Sequence, residues 1–158
     1  MEGDVIPVLH NVSSVQRVVD LARLAFNLGY SNLVVTKAYG GAAQSGVPEA
    51  MRIALKMGRS LIVLPDLPDA ARLLSPDKII AVTPSRPEKL VSPSTPPQVE
   101  GKTLVVFSGG EPDFTPEEIA GAERVYISGV EGKLGPVAEA ALILYLMRRG
   151  GQGFGSRG

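Results

Sequence analysis

Apolar residues fall along this chain in two alternating rhythms. Short runs at Val5–Leu9, Leu33–Thr36, Leu61–Leu64, Ile79–Val82, Thr103–Phe107 and Arg124–Ile127 have the length and composition of buried strands. Between them the period changes. Val15, Val18, Val19, Ala22, Ala25 and Phe26 recur at helical spacing, while Gln16, Asp20, Arg23 and Asn27 fall on the opposite face. Ser13 and Gln16 have capping-box spacing, which places the start of this helix there, and Gly29 ends it. Further helices are expected at Pro48–Met57, Pro68–Leu74, Pro116–Ala120 and Pro136–Arg149. Six strands alternating with helices predict one α/β domain, with a mostly parallel sheet and helices on both faces. Pro7 cannot donate to a ladder, so the first strand is expected near an edge or with limited pairing.

Three stretches depart from this rhythm. Ala38–Gly46 is a loop of small residues with little to hold it rigid, read either as a mobile substrate contact or as plain flexibility. Pro84–Gly101 carries prolines at 84, 87, 93, 96 and 97 and reads as an extended crossover within the domain, functional or mobile. In the last helix, Leu134, Val137, Ala138, Ala141 and Tyr145 predict one buried stripe, and Leu142, Ile143, Leu144 and Leu146 leave almost no polar face. That helix is expected to be covered on more than one side, the second cover being a homodimer partner. Arg148 and Arg149 suit its carboxyl end. The domain is placed at residues 1–149, with a flexible Gly-rich tail at 150–158.

Composition narrows the function. The 158 residues suffice for one core without disulfides, and the absence of cysteine excludes a thiolate metal site. A single histidine leaves no His-rich zinc site, so no metal is expected. Sixteen basic residues balance sixteen acidic ones, which argues against broad nonspecific nucleic-acid binding but leaves room for a local basic patch. No secretory signal pattern opens the chain, and no apolar run approaches the ~20 residues that span a bilayer. A cytoplasmic protein without a membrane partner is expected.

Candidate chemistry gathers at strand ends. Thr103–Phe107 runs into Ser108-Gly109-Gly110-Glu111, a small-residue turn of the kind that approaches ligands at the carboxyl ends of parallel strands. Such a turn is also an ordinary loop. Arg17 stands in the first turn of a helix, where a cation opposes the helix dipole; it reads as a solvated arginine or as a guanidinium held beside Asn11 at a site. His10 precedes Asn11 and could exchange a proton near neutrality, although a lone histidine at a strand end is more often a hydrogen-bonded structural residue.

Three segments resemble motifs of the SPOUT superfamily, the SpoU-type RNA methyltransferases. Asn11 through Arg17, followed by an apolar helix ending in Phe26-Asn27-Leu28-Gly29, is similar to the first motif. Val105 through Glu111 is similar to the motif in which a strand runs into Gly-x-Glu, and Ile127 through Ala141 is similar to the closing motif. The resemblance implies a carboxyl-terminal trefoil knot, a dimer, and S-adenosylmethionine held by Thr83-Pro84, Ser108-Gly109-Gly110, Ile127-Ser128-Gly129 and Leu134-Gly135. It implies transfer of a methyl group to an RNA ribose 2′-hydroxyl, with Arg17 orienting the acceptor or stabilising its charge, Asn11 holding Arg17 or the substrate, and Glu111 orienting the arginine or touching substrate. Lys133-Leu134-Gly135 departs from the Ser-Leu-Asn of that motif. This favours, as an alternative, a non-catalytic module of the same fold that binds RNA or cofactor. A flavodoxin-like domain binding a phosphorylated ligand at Gly109-Gly110 is the third reading.

Overall fold

The computed structural model describes residues 4–151, with side chains described as far as Arg148. Seven strands form one sheet, all neighbours parallel: β1 (Asp4–Val12), β2 (Asn32–Ala38), β3 (Ser60–Leu64), β4 (Lys78–Val82), β5 (Lys89–Val91), β6 (Lys102–Ser108) and β7 (Glu123–Ile127). Their order across the sheet is β3-β2-β1-β6-β4-β7-β5. Among the described residues there are four α-helices: α1 (Val15–Asn27), α2 (Val47–Met57) and α3 (Leu67–Leu74) lie between strands, and α4 (Pro136–Gly151) follows the last one.

Strand pleating explains the two-sided burial. Leu9 and Val105 pack into the larger core with Val18, Ala22, Ala54, Ile143 and Leu144 from α1, α2 and α4. Their neighbours Val8 and Val106 point the other way, into a smaller core closed by Leu67 and Ala70 of α3. Helices therefore cover both faces, as the alternation of elements requires.

Pro7 does not put β1 at an edge. β1 is paired on both sides, to β6 from Asp4 through His10 and to β2 from Val8 onward. The second ladder begins one residue after the proline, so the missing donor is tolerated in a central strand. β3, expected to be fully buried, is instead an edge strand with Val63 exposed. The α1 cap is Ser14, whose hydroxyl accepts from the Arg17 N–H, rather than Ser13, and Val15 is exposed.

The small-residue stretch 38–46 is not loose. Ala42–Gly46 forms a π-helical turn that runs directly into α2. A β-carbon on Gly41 would stand 3.0 Å from Val15 Cγ2, and one on Gly46 would stand 3.2 Å from Val18 Cβ. The glycines thus let this turn press against α1. The crossover 84–101 contains β5, whose three residues are too short to announce a strand in sequence. Residues 116–121 form turns instead of the expected helix. Thr115 and Glu118 make the reciprocal cap, but the second Glu118 oxygen is committed to His10.

α4 keeps its expected place but not its expected face. Ala140, Ile143, Leu144 and Met147 are buried, while Leu134, Leu142 and Tyr145 are exposed. The Tyr30 hydroxyl donates to the Leu144 carbonyl at 2.6 Å, and Arg148 lies 6.0 Å from the Tyr30 ring centroid, which locks α4 to the end of α1. The helix takes in Gly150 and Gly151, the start of the expected tail; residues 152–158 lie outside the described residues.

Candidate functional site

The register of β6, β4 and β7 sets three loops side by side. Val82 pairs with Phe107 on one side and with Val125 on the other, so Thr83, Ser108 and Tyr126 follow at neighbouring strand ends. Asp113 ties the loops together: Thr83 Oγ1 donates to Oδ2 at 2.6 Å and Lys133 Nζ donates to Oδ1 at 3.3 Å. Thr83 is buried and also accepts from the Ser85 N–H. Pro84 beside it is half-buried. An open pocket of about 470 Å³ lies alongside, lined by Thr83, Ser85, Arg86, Phe114, Pro116, Ile119, Ala120 and Arg124.

The glycines divide into two kinds. A β-carbon on Gly109 would meet Val12 Cβ at 2.8 Å, and one on Gly110 would meet the Asn11 carbonyl at 2.9 Å. These residues are small because the loop after β6 lies on the chain's own β1, and the Gly109 N–H donates to the His10 carbonyl. Gly129 and Gly135 have positive φ and would project a β-carbon into open space. The Gly135 carbonyl accepts from the Glu139 N–H, and the Ser128 and Leu134 N–H groups are committed to the Val91 carbonyl and the Tyr126 hydroxyl. Ile127 is buried, Ser128 exposed and Leu134 exposed. Ser108 is buried, and its hydroxyl donates to the Gly110 carbonyl at 3.3 Å.

Of the residues expected to act on substrate, Arg17 reaches this region. Its Nη1 donates to the Gly109 carbonyl at 2.7 Å, bridging α1 to the loop after β6. Asn11, next to last in β1, is in the left-handed region, with φ of 64°, and lies directly beneath Gly110. Asparagine tolerates that conformation better than most residues. Glu111 is exposed and, among the described residues, makes no ion pair with Arg17.

The sequence reading missed a buried acid behind the closing loop. Glu139 is fully buried; its Oε2 accepts from the Tyr126 hydroxyl at 2.8 Å, while Oε1 has no hydrogen-bond partner among the described residues. Burial pushes the Glu139 carboxyl above the usual carboxylate range, against the pull of Tyr126 and Lys133. Burial also pushes the Tyr126 phenol up to about 12, with Glu139 adding to the shift and the Leu134 N–H opposing it. The available signal was that Glu139 is the one acidic residue between Pro136 and Met147.

His10 is the structural residue its position suggested, and more. Nδ1 lies 2.8 Å from Thr36 Oγ1, Nε2 lies 2.8 Å from Glu118 Oε2, and the Phe114 ring stacks on the imidazole. Partial burial raises the Glu118 carboxyl, but the hydrogen bonds from His10 and the Thr115 N–H outweigh it and hold it low. No helix among the described residues is long and apolar enough to cross a membrane.

Comparison with known proteins gives two different results. Solved structures with the same fold include an AdoMet-bound rRNA methyltransferase from Sinorhizobium meliloti, with TM-score 0.74 and 13% identity over 95% of this chain and 57% of that one. The SpoU methyltransferase AviRb from Streptomyces viridochromogenes matches with TM-score 0.67 and 17% identity over 96% of this chain and 62% of that one. This chain thus spans roughly three fifths of those two proteins. A structure described as giving insight into 2-OH methylation of C/U34 on tRNA matches nearly end to end, with TM-score 0.69, 21% identity, 95% of this chain and 99% of that one. At these identities the likeness shows the fold alone, that of SpoU-type RNA methyltransferases.

In sequence, the chain is 70% identical over 96% of its length to the Aeropyrum pernix protein named "Putative type II restriction enzyme ApeKORF2002P", covering 97% of that protein. It is 33% identical over 89% of its length to the Methanocaldococcus jannaschii protein named "Putative type II restriction enzyme MjaORF1200P", covering 94% of it. Residues 40–146 match the family model described as RecB-family nuclease (DUF2122). The chain belongs to that family, and it carries the fold of the SpoU-type RNA methyltransferases.

Proposed function

We propose that this chain is an S-adenosylmethionine-dependent RNA methyltransferase acting on a ribose 2′-hydroxyl. The observation that carries the reading is Arg17 crossing from α1 to the Gly109 carbonyl, at the edge of the joined loops after β4, β6 and β7. The fold likeness to the AdoMet-bound enzyme supports the choice of cofactor.

The residues present fit S-adenosylmethionine in part. Gly129 and Gly135 leave open space for an adenine edge, with Ile127, Ser128, Leu134, Thr83 and Pro84 around it. Ser108-Gly109-Gly110 serves as the support beneath, since its glycines turn toward β1. When bound, the cofactor supplies an activated methyl group. The protein's part is alignment, which can carry much of such a displacement. One Arg17 donor is held by Gly109, so the guanidinium is fixed in place and its remaining donors face an RNA hydroxyl or phosphate. With a pKa above ~12, Arg17 stabilises developing negative charge rather than taking the proton. Asn11 holds the loop from below, and exposed Glu111 contacts RNA.

The same reading extends to the assembly: a cytoplasmic homodimer, paired through the exposed apolar face of α4 at Leu142 and Tyr145. Within residues 1–149 the carboxyl-terminal part forms a trefoil knot, a rare exception among folds. Support comes from the path of the chain: β6 and β7 flank β4 on either side, and β5 lies outside β7.

One observation favours a second reading, a binding module of the same fold without transfer. Lys133 is engaged with Asp113 in the loop that would border the methyl group.

The test is methyl transfer from labelled S-adenosylmethionine to tRNA and rRNA fragments, with cofactor binding measured in parallel. Arg17→Ala is expected to lower transfer by about 100-fold or more while leaving cofactor affinity intact. Binding without transfer selects the module. Absence of cofactor binding at millimolar ligand refutes the methyltransferase and any cofactor-binding role, leaving the module only as an RNA binder, and nucleic-acid cleavage in its place points to the nuclease activity in the family's description.

A further inference from the structure

A second constellation lies at the carboxyl ends of β1, β2 and β3, on residues that methyl transfer does not use. The His10 ring is buried, with 1% of its surface exposed, and is held at three points. Thr36 binds Nδ1, Phe114 stacks on the ring at an interplanar angle of 11°, and Nε2 points to Glu118. Glu118 keeps Oε1 on the Thr115 N–H and turns Oε2 inward. Asp66 caps α3, accepting from the Leu67 N–H through Oδ1. One ligand atom from each of His10, Asp66 and Glu118 lies within 4.8 Å of the others.

We propose that His10, Asp66 and Glu118 form a binding site for one divalent transition-metal ion, with solvent filling its remaining positions. The donor set is chemically matched to such an ion. In the metal-free chain the Nε2 proton lies on the hydrogen bond to Glu118; an ion would take that proton's place, with Nδ1–H then donating to Thr36 Oγ1, the usual support of a metal-ligating imidazole. One imidazole and two carboxylates suit Zn²⁺, Mn²⁺ or Co²⁺ better than an all-oxygen set would. Ligands at about 2.0–2.2 Å from an ion are separated by up to about 4.4 Å, so small side-chain rotations close the observed spacing. Glu118 is anchored by the Thr115 N–H through Oε1 and Asp66 by the Leu67 N–H through Oδ1, so the ion would enter between His10 Nε2 and Glu118 Oε2 in place of their hydrogen bond. The position, at the carboxyl ends of adjacent parallel strands, is where open α/β sheets bind ligands.

The competing account takes the two hydrogen bonds, between Thr36 and His10 and from His10 to Glu118, as purely structural. That alternative leaves Asp66 as the α3 cap alone, and it predicts no metal affinity. The discriminating experiment is titration of the full chain with Zn²⁺ and Co²⁺ by calorimetry, with the visible absorption of bound Co²⁺ as a second readout. One ion per chain is expected. Asp66→Asn and Glu118→Gln keep the local caps, because their amide oxygens accept the same N–H groups. Each is expected to weaken metal binding at least tenfold while S-adenosylmethionine affinity is unchanged. Absence of binding at millimolar metal overturns the proposal, and so does binding that is unaltered in both variants.

Discussion

Gly109→Ala tests whether the loop after β6 is shaped by the chain's own packing. Gly109 is buried and φ there is not in the left-handed region, so alanine suffers no backbone penalty of that kind. What it meets is space already filled. The new β-carbon would lie 2.8 Å from Val12 Cβ, 3.1 Å from the Asn11 carbonyl oxygen and 3.1 Å from Leu9 Cδ1. Only the leucine methyl can swing aside; the other two atoms belong to, or are fixed on, the backbone of a strand paired on both sides. The loop must therefore lift. Overpacking of this type costs about 1–3 kcal/mol. For a domain of this size each kcal/mol lowers Tm by about 2–4 °C, so the expected fall is about 2–12 °C. Gly121→Ala is the control, since a β-carbon there has nothing within 4 Å. Thermal and urea denaturation of the two variants against the parent provide the comparison. Equal stability of Gly109→Ala and Gly121→Ala would refute the packing argument and return the Gly-Gly pair to a ligand-facing role. The same lift displaces the carbonyl that holds Arg17, so transfer should fall more steeply than stability alone explains.

Two further outcomes follow from particular contacts. Ser14→Ala removes the α1 cap and should cost about 1 kcal/mol in urea denaturation, while Ser13→Ala, at an exposed side chain, should stay within about 0.5 kcal/mol of the parent. Glu139 has a folded-state pKa raised by burial, so its contribution to stability is fully present below the ordinary carboxylate pKa and is lost as pH rises through the raised value. Glu139→Gln cannot ionise; its Tm relative to the parent should therefore climb as pH rises above the ordinary carboxylate range, and parallel Tm curves would contradict this account.

The hydrophobic rhythm by itself determined the α/β class, six of the seven strands and the four α-helices, because burial on both faces and helical periodicity are properties of short segments. It also picked out Arg17 and the loop after β6, which the folded chain joins through one hydrogen bond. It could not decide where each strand lies in the sheet. Pro7 suggested an edge, yet β1 is central because its second ladder starts just beyond the proline. Nor could it tell a small-residue turn that packs from one that moves; small residues at 38–46 suit either, and in the fold Gly41 and Gly46 are close contacts with α1. The joining of Thr83, Asp113 and Lys133, and the meeting of His10, Asp66 and Glu118, belong to tertiary structure alone. Residues as far as 108 positions apart in the chain touch there, and only the order and register of parallel strands bring their ends together.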